Sequence, residues 1–125
     1  NYRMPNINAA LGCAQLENLD RYVADKRETA ACYAEFFKGK EDITFFTEPA
    51  DCKSNYWLNA VVLKDKAAQL DFLEYTNDHG VMTRPVWELM NRLPMFEHCE
   101  TDGLENTEWL ADRVVNIPSS VRLDK

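Results

Sequence analysis

Apolar residues recur at three- and four-residue steps along the first third of the chain, between Asn6 and Lys38. This spacing places them on one face of an α-helix. The residues on that face are Ile7, Leu11, Leu16, Leu19, Val23, Ala30, Tyr33 and Phe37. Gly39 is suited to end a helix, because glycine adopts the left-handed conformation without steric cost. We therefore predict one long helix over residues 6–38, long enough to cover one side of a domain.

Three shorter runs in the middle of the chain are rich in β-branched and aromatic residues and are bounded by turn-forming residues, which predicts strands. These runs are Ile43–Phe46, Asn55–Leu63 and Val81–Arg84. Between the last two, residues 66–78 have helical spacing, with Leu70 and Leu73 on the apolar face. Asp65 can cap the start of this helix with its side chain, and His79-Gly80 can end it.

The last third of the chain predicts less regular structure. We expect a turn or short helix around Glu88–Arg92, a loop over Pro94–Asp102 and a final helix over Leu104–Val114. Strands separated by helices are typical of a small layered α/β or α+β unit. The predicted fold is a long N-terminal helix and a three-stranded sheet with helices packed on one side, in one domain over residues 1–125.

Composition narrows the classes of function. The chain has 125 residues, of which 46% are hydrophobic, and a net charge of −7. The negative charge argues against binding to nucleic acid or an anionic membrane surface. No apolar run approaches the roughly 20 residues that span a bilayer. We therefore expect neither nucleic acid nor membrane as a partner.

The cysteines and histidines are too scattered to predict a metal site. Cys13, Cys32, Cys52 and Cys99 form no C-x-x-C pair, and the two histidines lie far apart. Scattered cysteines of this kind are typical of free thiols in a reducing cytoplasm. We expect a cytoplasmic protein without a bound metal.

The residue types contain no complete catalytic motif, and one cluster stands out. Glycine-rich nucleotide loops, a nucleophile elbow and zinc-protease motifs are all absent from the sequence. Arg84 and Trp87 lie just past a predicted strand end, where α/β proteins place ligand-binding groups. A second interpretation stays open at this point, in which Trp87 packs and Arg84 forms a surface ion pair.

Four blocks, in order along the chain, resemble the pyridoxal-phosphate-dependent sugar aminotransferases of the DegT/DnrJ/EryC1/StrS family. They are Asn1–Gly12 (continued by Gln15-Leu16 and Leu19-Asp20), Gly80–Pro85, Leu93–Phe96 and Ile117–Ser120. The stretch Thr83–Met90, together with Arg92–Phe96, is most similar to the LegC-type subgroup, whose members aminate a nucleotide-linked 4-keto-6-deoxy sugar.

The resemblance implies the small C-terminal domain of a fold-type I aminotransferase whose large, pyridoxal-phosphate-binding domain is missing from this chain. It places the Schiff-base lysine upstream, since none of the seven lysines here occupies its context. The resemblance thus implies a fragment with no catalytic residue of its own, inactive in isolation. The intact enzyme would be a homodimer that takes an amino group from a donor such as glutamate and aminates the nucleotide-linked keto sugar.

The resemblance implies site roles for four residues. Asn1 and Arg3 lie in the segment that reaches toward the cofactor phosphate or substrate of a neighbouring subunit, and a guanidinium suits a phosphate. Arg84 and Trp87 lie in the segment that approaches the sugar nucleotide. A competing hypothesis is a free-standing acidic binding module without catalysis, because the chain can form its own core.

Overall fold

The computed structural model describes residues 3–122, and these residues form four α-helices and one four-stranded antiparallel sheet. The helices are α1 (Asn6–Leu16), α2 (Leu19–Phe37), α3 (Lys66–Asp78) and α4 (Glu105–Ala111). The strands are β1 (Ile43–Phe45), β2 (Asn59–Leu63), β3 (Arg84–Pro85) and β4 (Val114–Ile117), in the order β1-β2-β4-β3. The predicted small mixed helix-and-sheet fold is confirmed. No helix among the described residues is long and apolar enough to cross a membrane.

Two helices replace the single long helix predicted over residues 6–38. α1 ends at Leu16 and α2 begins at Leu19, with a turn at Glu17 and Asn18. The Asn18 side-chain amide donates to the Ala14 carbonyl at 3.0 Å. Asparagine favours such local contacts over a regular helix, which explains the break at this position. The two helices also differ in burial, because α1 has no buried residue whereas α2 buries Ala30.

The sheet has four strands, so the prediction of three was wrong. The missed strand is β4, whose first residue Val114 was assigned to the final helix; that helix ends at Ala111. β4 lies at the centre of the sheet and pairs with β2 on one side and β3 on the other. The residues before Val114 have helical spacing, and this spacing hid the four strand-forming residues that follow. β4 forms a strand because it pairs with β2 and β3, which are distant in the chain.

Two further differences concern where β2 and β3 begin and end. β2 begins at Asn59, four residues later than predicted, and β3 is confined to Arg84 and Pro85. Turn contacts replace the early part of β2: the Tyr56 N–H donates to Ser54 Oγ at 2.9 Å, and the Trp57 N–H to Asn55 Oδ1 at 3.0 Å. These contacts compete with strand pairing.

The core lies on one face of the sheet, against α2 and α3. Its buried apolar residues are Ala30, Phe45, Val61, Leu63, Val115 and Ile117. Asp65 caps α3 as predicted, accepting a bond from the Ala68 N–H at 2.8 Å. The predicted apolar face of α3 was partly wrong, because Leu70 is 54% exposed and Gln69 is buried in its place. The cysteines are exposed and form no disulfide.

Candidate functional site

An open pocket of about 600 Å³ lies where β2 begins and β4 ends, beside β3. Arg84 and Trp87, the two residues predicted to approach a substrate, both line it. Lys26, Trp57 and Asn116 also line the pocket and were not singled out in the sequence. The structure therefore brings together the residues of three separate chain segments with one residue of α2.

β3 and the residue before it set the position of Arg84. Arg84 lies opposite Asn116 in the β3–β4 ladder, and its Nη2 donates to Met82 Sδ at 3.4 Å. The buried Thr83 hydroxyl lies 2.6 Å from Thr76 Oγ1 and accepts from Asn77 Nδ2 at 3.0 Å. Because both partners belong to α3, these bonds tie the chain to the helix directly before Arg84.

The segment after β4 forms a second wall and is held by three elements. Lys26 Nζ of α2 donates to the Ser119 carbonyl, and the Asn59 N–H of β2 donates to Ser119 Oγ at 2.7 Å. Ser119 Oγ in turn donates to the Ile117 carbonyl at 2.9 Å. Tyr33 Oη also donates, to the Pro118 carbonyl at 3.1 Å. The Ile117–Ser120 block of the sequence is thus part of the pocket wall.

Two tryptophans line the pocket, and much of the surface of each side chain is open to solvent. Trp87 is 76% exposed and Trp57 is 66% exposed. Trp57 was assigned to the predicted strand Asn55–Leu63, so its place on the pocket was missed. Exposed aromatic rings next to a cation offer flat stacking surfaces for a planar ligand group.

The charge of the pocket is opposite to that of the chain. Lys26 and Arg84 are its cations, and no Asp or Glu is among the described residues that line it. The chain as a whole carries a net charge of −7. A local excess of positive charge with low competition from carboxylates favours an anionic ligand, and a guanidinium suits a phosphate in particular.

Of the two cofactor-binding residues implied by the resemblance, only Arg3 can be located relative to this pocket. Asn1 lies outside the described residues, while Arg3 is exposed and is not among the pocket residues. Lys26, the only lysine among the described residues that line the pocket, directs its ammonium to a backbone carbonyl. Within residues 3–122, Arg3 and Lys26 are not brought together, so these two residues do not form a cradle for pyridoxal phosphate. No three metal-ligating side chains converge anywhere within residues 3–122.

Comparison with known proteins gives consistent results along the chain. The sequence pattern of the DegT/DnrJ/EryC1/StrS aminotransferase family matches residues 1–125. EpsN of Bacillus subtilis (strain 168), assigned to the pyridoxal phosphate-dependent aminotransferases, is 31% identical over 123 residues, which is 95% of this chain and 32% of EpsN. The GDP-perosamine synthase of Escherichia coli O157:H7 is 30% identical over 121 residues, or 95% of this chain and 32% of the synthase.

A solved structure shows the same fold. PseC from Helicobacter pylori, an aminotransferase involved in the biosynthesis of pseudoaminic acid, superposes with a TM-score of 0.89 at 20% identity, over 99% of this chain and 34% of PseC. The chain spans about a third of the length of the relatives it matches. With the family pattern covering every residue, the chain belongs to the DegT/DnrJ/EryC1/StrS aminotransferase family.

Proposed function

We propose that this chain is the C-terminal domain of a pyridoxal-phosphate-dependent aminotransferase that aminates a nucleotide-linked 4-keto-6-deoxy sugar for surface polysaccharides. The observation that carries the proposal is the pocket that Lys26 and Arg84 share with two exposed tryptophans, with no carboxylate among the described residues that line it. Relatives named GDP-perosamine synthase, and a dTDP-4-amino-4,6-dideoxy-D-glucose transaminase of Escherichia coli at 24% identity, support a nucleotide-sugar substrate. The LegC-type subgroup remains part of the proposal.

In this proposal the pocket receives the nucleotide end of the substrate. Arg84 and Lys26 bind the diphosphate through charge-assisted hydrogen bonds. Trp57 and Trp87 offer their ring faces to the base, a contact that tolerates different bases because every base has a flat face. The sugar then extends away from this domain toward the reacting groups elsewhere in the protein.

The chemistry of amino transfer is supplied by pyridoxal phosphate when it is bound by the rest of the protein. Its Schiff-base lysine lies outside this chain, and the amino donor is one such as glutamate. In this proposal Asn1 and Arg3 reach toward the cofactor phosphate or substrate of a neighbouring subunit. The isolated chain is accordingly inactive, and the exposed thiols suit a cytoplasmic location.

A homodimer is part of the proposal and is supported by the surface of α1. Ile7 is 82% exposed and Leu11 is 62% exposed, and α1 buries none of its residues within this chain. Large apolar side chains grouped on one helix mark a contact surface. Sedimentation of the protein expressed from its natural gene should show a dimer that Leu11→Asp weakens; an unaltered dimer would remove α1 from the interface.

Activity of the protein expressed from its natural gene tests the proposal. It is given pyridoxal phosphate, glutamate and a 4-keto-6-deoxyhexose linked to UDP, GDP or dTDP, and the amino sugar is detected by mass spectrometry. Arg84→Ala and Lys26→Ala should raise KM, because each removes a cation from the diphosphate. Arg21→Ala and Lys38→Ala, which remove cations that do not line the pocket, are the matched controls. Absence of an amino sugar with all three nucleotides would reject the proposed activity.

A second experiment tests whether the Schiff-base lysine lies outside the chain. The 125-residue chain is incubated with pyridoxal phosphate, reduced with borohydride and mapped by peptide mass spectrometry. No lysine should carry stoichiometric label. Stoichiometric label at any one lysine of this chain would contradict the proposal. If the protein from the natural gene also carried no labelled lysine, the acidic binding module would be favoured.

A further inference from the structure

Ser54–Leu58, the segment that enters β2, changes from core to pocket within a few residues. The Tyr56 ring packs inward, 6.5 Å from the Phe45 ring between centroids. The next residue, Trp57, lines the pocket. Tyr56 has φ = 46°, in the left-handed region that bulky residues rarely adopt. A strained backbone of this kind persists only where surrounding contacts hold it.

Arg27 of α2 supplies the central contact that holds this segment. Its Nη2 donates to Glu48 Oε1 at 2.6 Å and its Nη1 to Glu48 Oε2 at 3.0 Å. Nη1 also donates to the Ser54 carbonyl at 2.6 Å. The planar guanidinium thus fixes Glu48 in two points and reaches the first residue of the segment at the same time.

Glu48 connects Arg27 to the turn at Tyr56. Its carboxylate accepts a bond from the Ser54 N–H, and its backbone N–H donates to Tyr56 Oη at 3.3 Å. The Arg27 guanidinium also lies 5.6 Å from the centre of the Tyr56 ring. Hydrogen bonding from Arg27, with a second bond from Ser54, lowers the pKa of Glu48 from 4.5 to about 2, so that the carboxylate is charged at neutral pH.

We propose that Arg27 is a positioning residue of the pocket: by holding Glu48 and Ser54 it fixes the left-handed turn at Tyr56 and thereby keeps Trp57 on the pocket wall. The identity of the ligand that Trp57 meets rests on the proposed function. Arg27 itself is not among the pocket residues, so its effect on a ligand passes through the segment. Arg27 therefore sets how well the nucleotide base is recognised without touching it.

Hydrogen exchange without ligand tests the first half of this proposal. In the protein expressed from its natural gene, Arg27→Met should speed exchange of the Tyr56 and Trp57 amides about tenfold, a size typical of coupled neighbours. Lys64→Met is the matched control, because it breaks the Lys64–Asp42 ion pair at the opposite end of β1 and β2. Unchanged exchange at residues 54–58 in Arg27→Met would overturn the proposal.

Steady-state kinetics test the second half. Arg27→Met should raise KM for the nucleotide sugar about tenfold while leaving kcat nearly unchanged. In a Trp57→Ala background the same change should have little further effect, because Trp57 is the group through which Arg27 acts. Equal effects of Arg27→Met with and without Trp57 would overturn the positioning role.

Two further variants keep the test decisive if Arg27→Met fails to fold. Arg27→Lys keeps the charge but loses the two-point contact, so its KM should lie between those of the parent and Arg27→Met. Glu48→Gln preserves shape and should raise KM in the same direction; a normal KM in both variants would overturn the proposal. If the parent protein binds no nucleotide sugar, the proposed function fails, while the exchange measurement still decides whether Arg27 holds the segment.

Discussion

At the end of the sheet where β2 finishes and β4 begins, polar groups are satisfied by one another. The buried Gln69 donates from Nε2 to the carbonyls of Ala111 at 2.9 Å and Val114 at 2.8 Å. At the opposite end, where β2 begins and β4 finishes, Arg84 and Trp87 face an open pocket. We call these the closed end and the pocket end. One sheet thus carries an end whose polar groups are paired and an end that is open and that we propose binds the substrate, so substitutions at the two ends should have separable effects.

The largest expected effect is the loss of stability when Gln69, at the closed end, is substituted. Gln69→Leu keeps the volume but leaves two carbonyls without this donor, which should lower the free energy of unfolding by about 3 kcal/mol. Denaturant titration measures the loss, and Gln15→Leu on the exposed surface of α1 is the control. The nucleotide-sugar KM should stay unchanged. A large rise in KM would show that the two ends are coupled and would break the comparison.

The next largest expected effect is the loss of nucleotide-sugar binding when Trp87, at the pocket end, is substituted. Because its side chain is 76% exposed, Trp87→Ala should change the free energy of unfolding by less than about 0.5 kcal/mol. Loss of a stacking face should weaken nucleotide-sugar binding by about 1–3 kcal/mol, which calorimetry can measure. Trp109→Ala, at a tryptophan that stacks on Arg113 and lies off the pocket, should leave binding unchanged. Equal losses in both variants would indicate a general structural effect.

Acid pH should loosen the segment at the pocket end that Glu48 holds. The pKa of Glu48 is lowered from 4.5 to about 2 by its bond to Arg27, so its stabilising contribution is complete above about pH 4.5 and is lost as pH falls toward 2. The Gln69 amide does not titrate in this range. Amide protection at residues 54–58, corrected for the pH dependence of chemical exchange itself, should therefore fall between pH 5 and 2.5. In Glu48→Gln this pH dependence should be absent, and its persistence would assign the change to another group.

The smallest effect is expected from an ion pair at the closed end. Lys64 Nζ lies 3.3 Å from Asp42 Oδ2, and both side chains are more than half exposed. Exposed pairs of this kind contribute little, so Lys64→Ala should change the free energy of unfolding by at most about 0.5 kcal/mol. Thermal unfolding at low and high salt measures it. A larger loss would mean that the closed end depends on its surface charges as well as on Gln69.

Local signals in the sequence predicted α3 well and the sheet less well. Asp65 and His79-Gly80 mark the ends of α3 through contacts within a few residues, and the structure has the helix between them. β4 carries no comparable signal of its own, because its state depends on pairing with β2 and β3, which are distant in the chain. The break at Asn18 depends on a single side-chain bond that a repeating apolar pattern does not contain.

The pocket could be predicted only where a motif named its residues. Arg84 and Trp87 were singled out by their place after a strand and by the family resemblance, and they do share the pocket. Lys26 and Trp57 were missed because one is a polar position on a helix and the other was assigned to a buried strand. Their roles depend on how α2 and the turn before β2 meet in space. The site roles of Asn1, Arg3, Arg84 and Trp87 remain predictions for the experiments above.

Both edges of the sheet are short. β1 has three residues, and β3 has two, one of which is Pro85 and has no N–H to donate. Long, regular edges are what allow a strand from another molecule to add to a sheet, and neither edge provides one. The sheet edges therefore offer poor templates for growth by strand addition, which limits aggregation through this sheet.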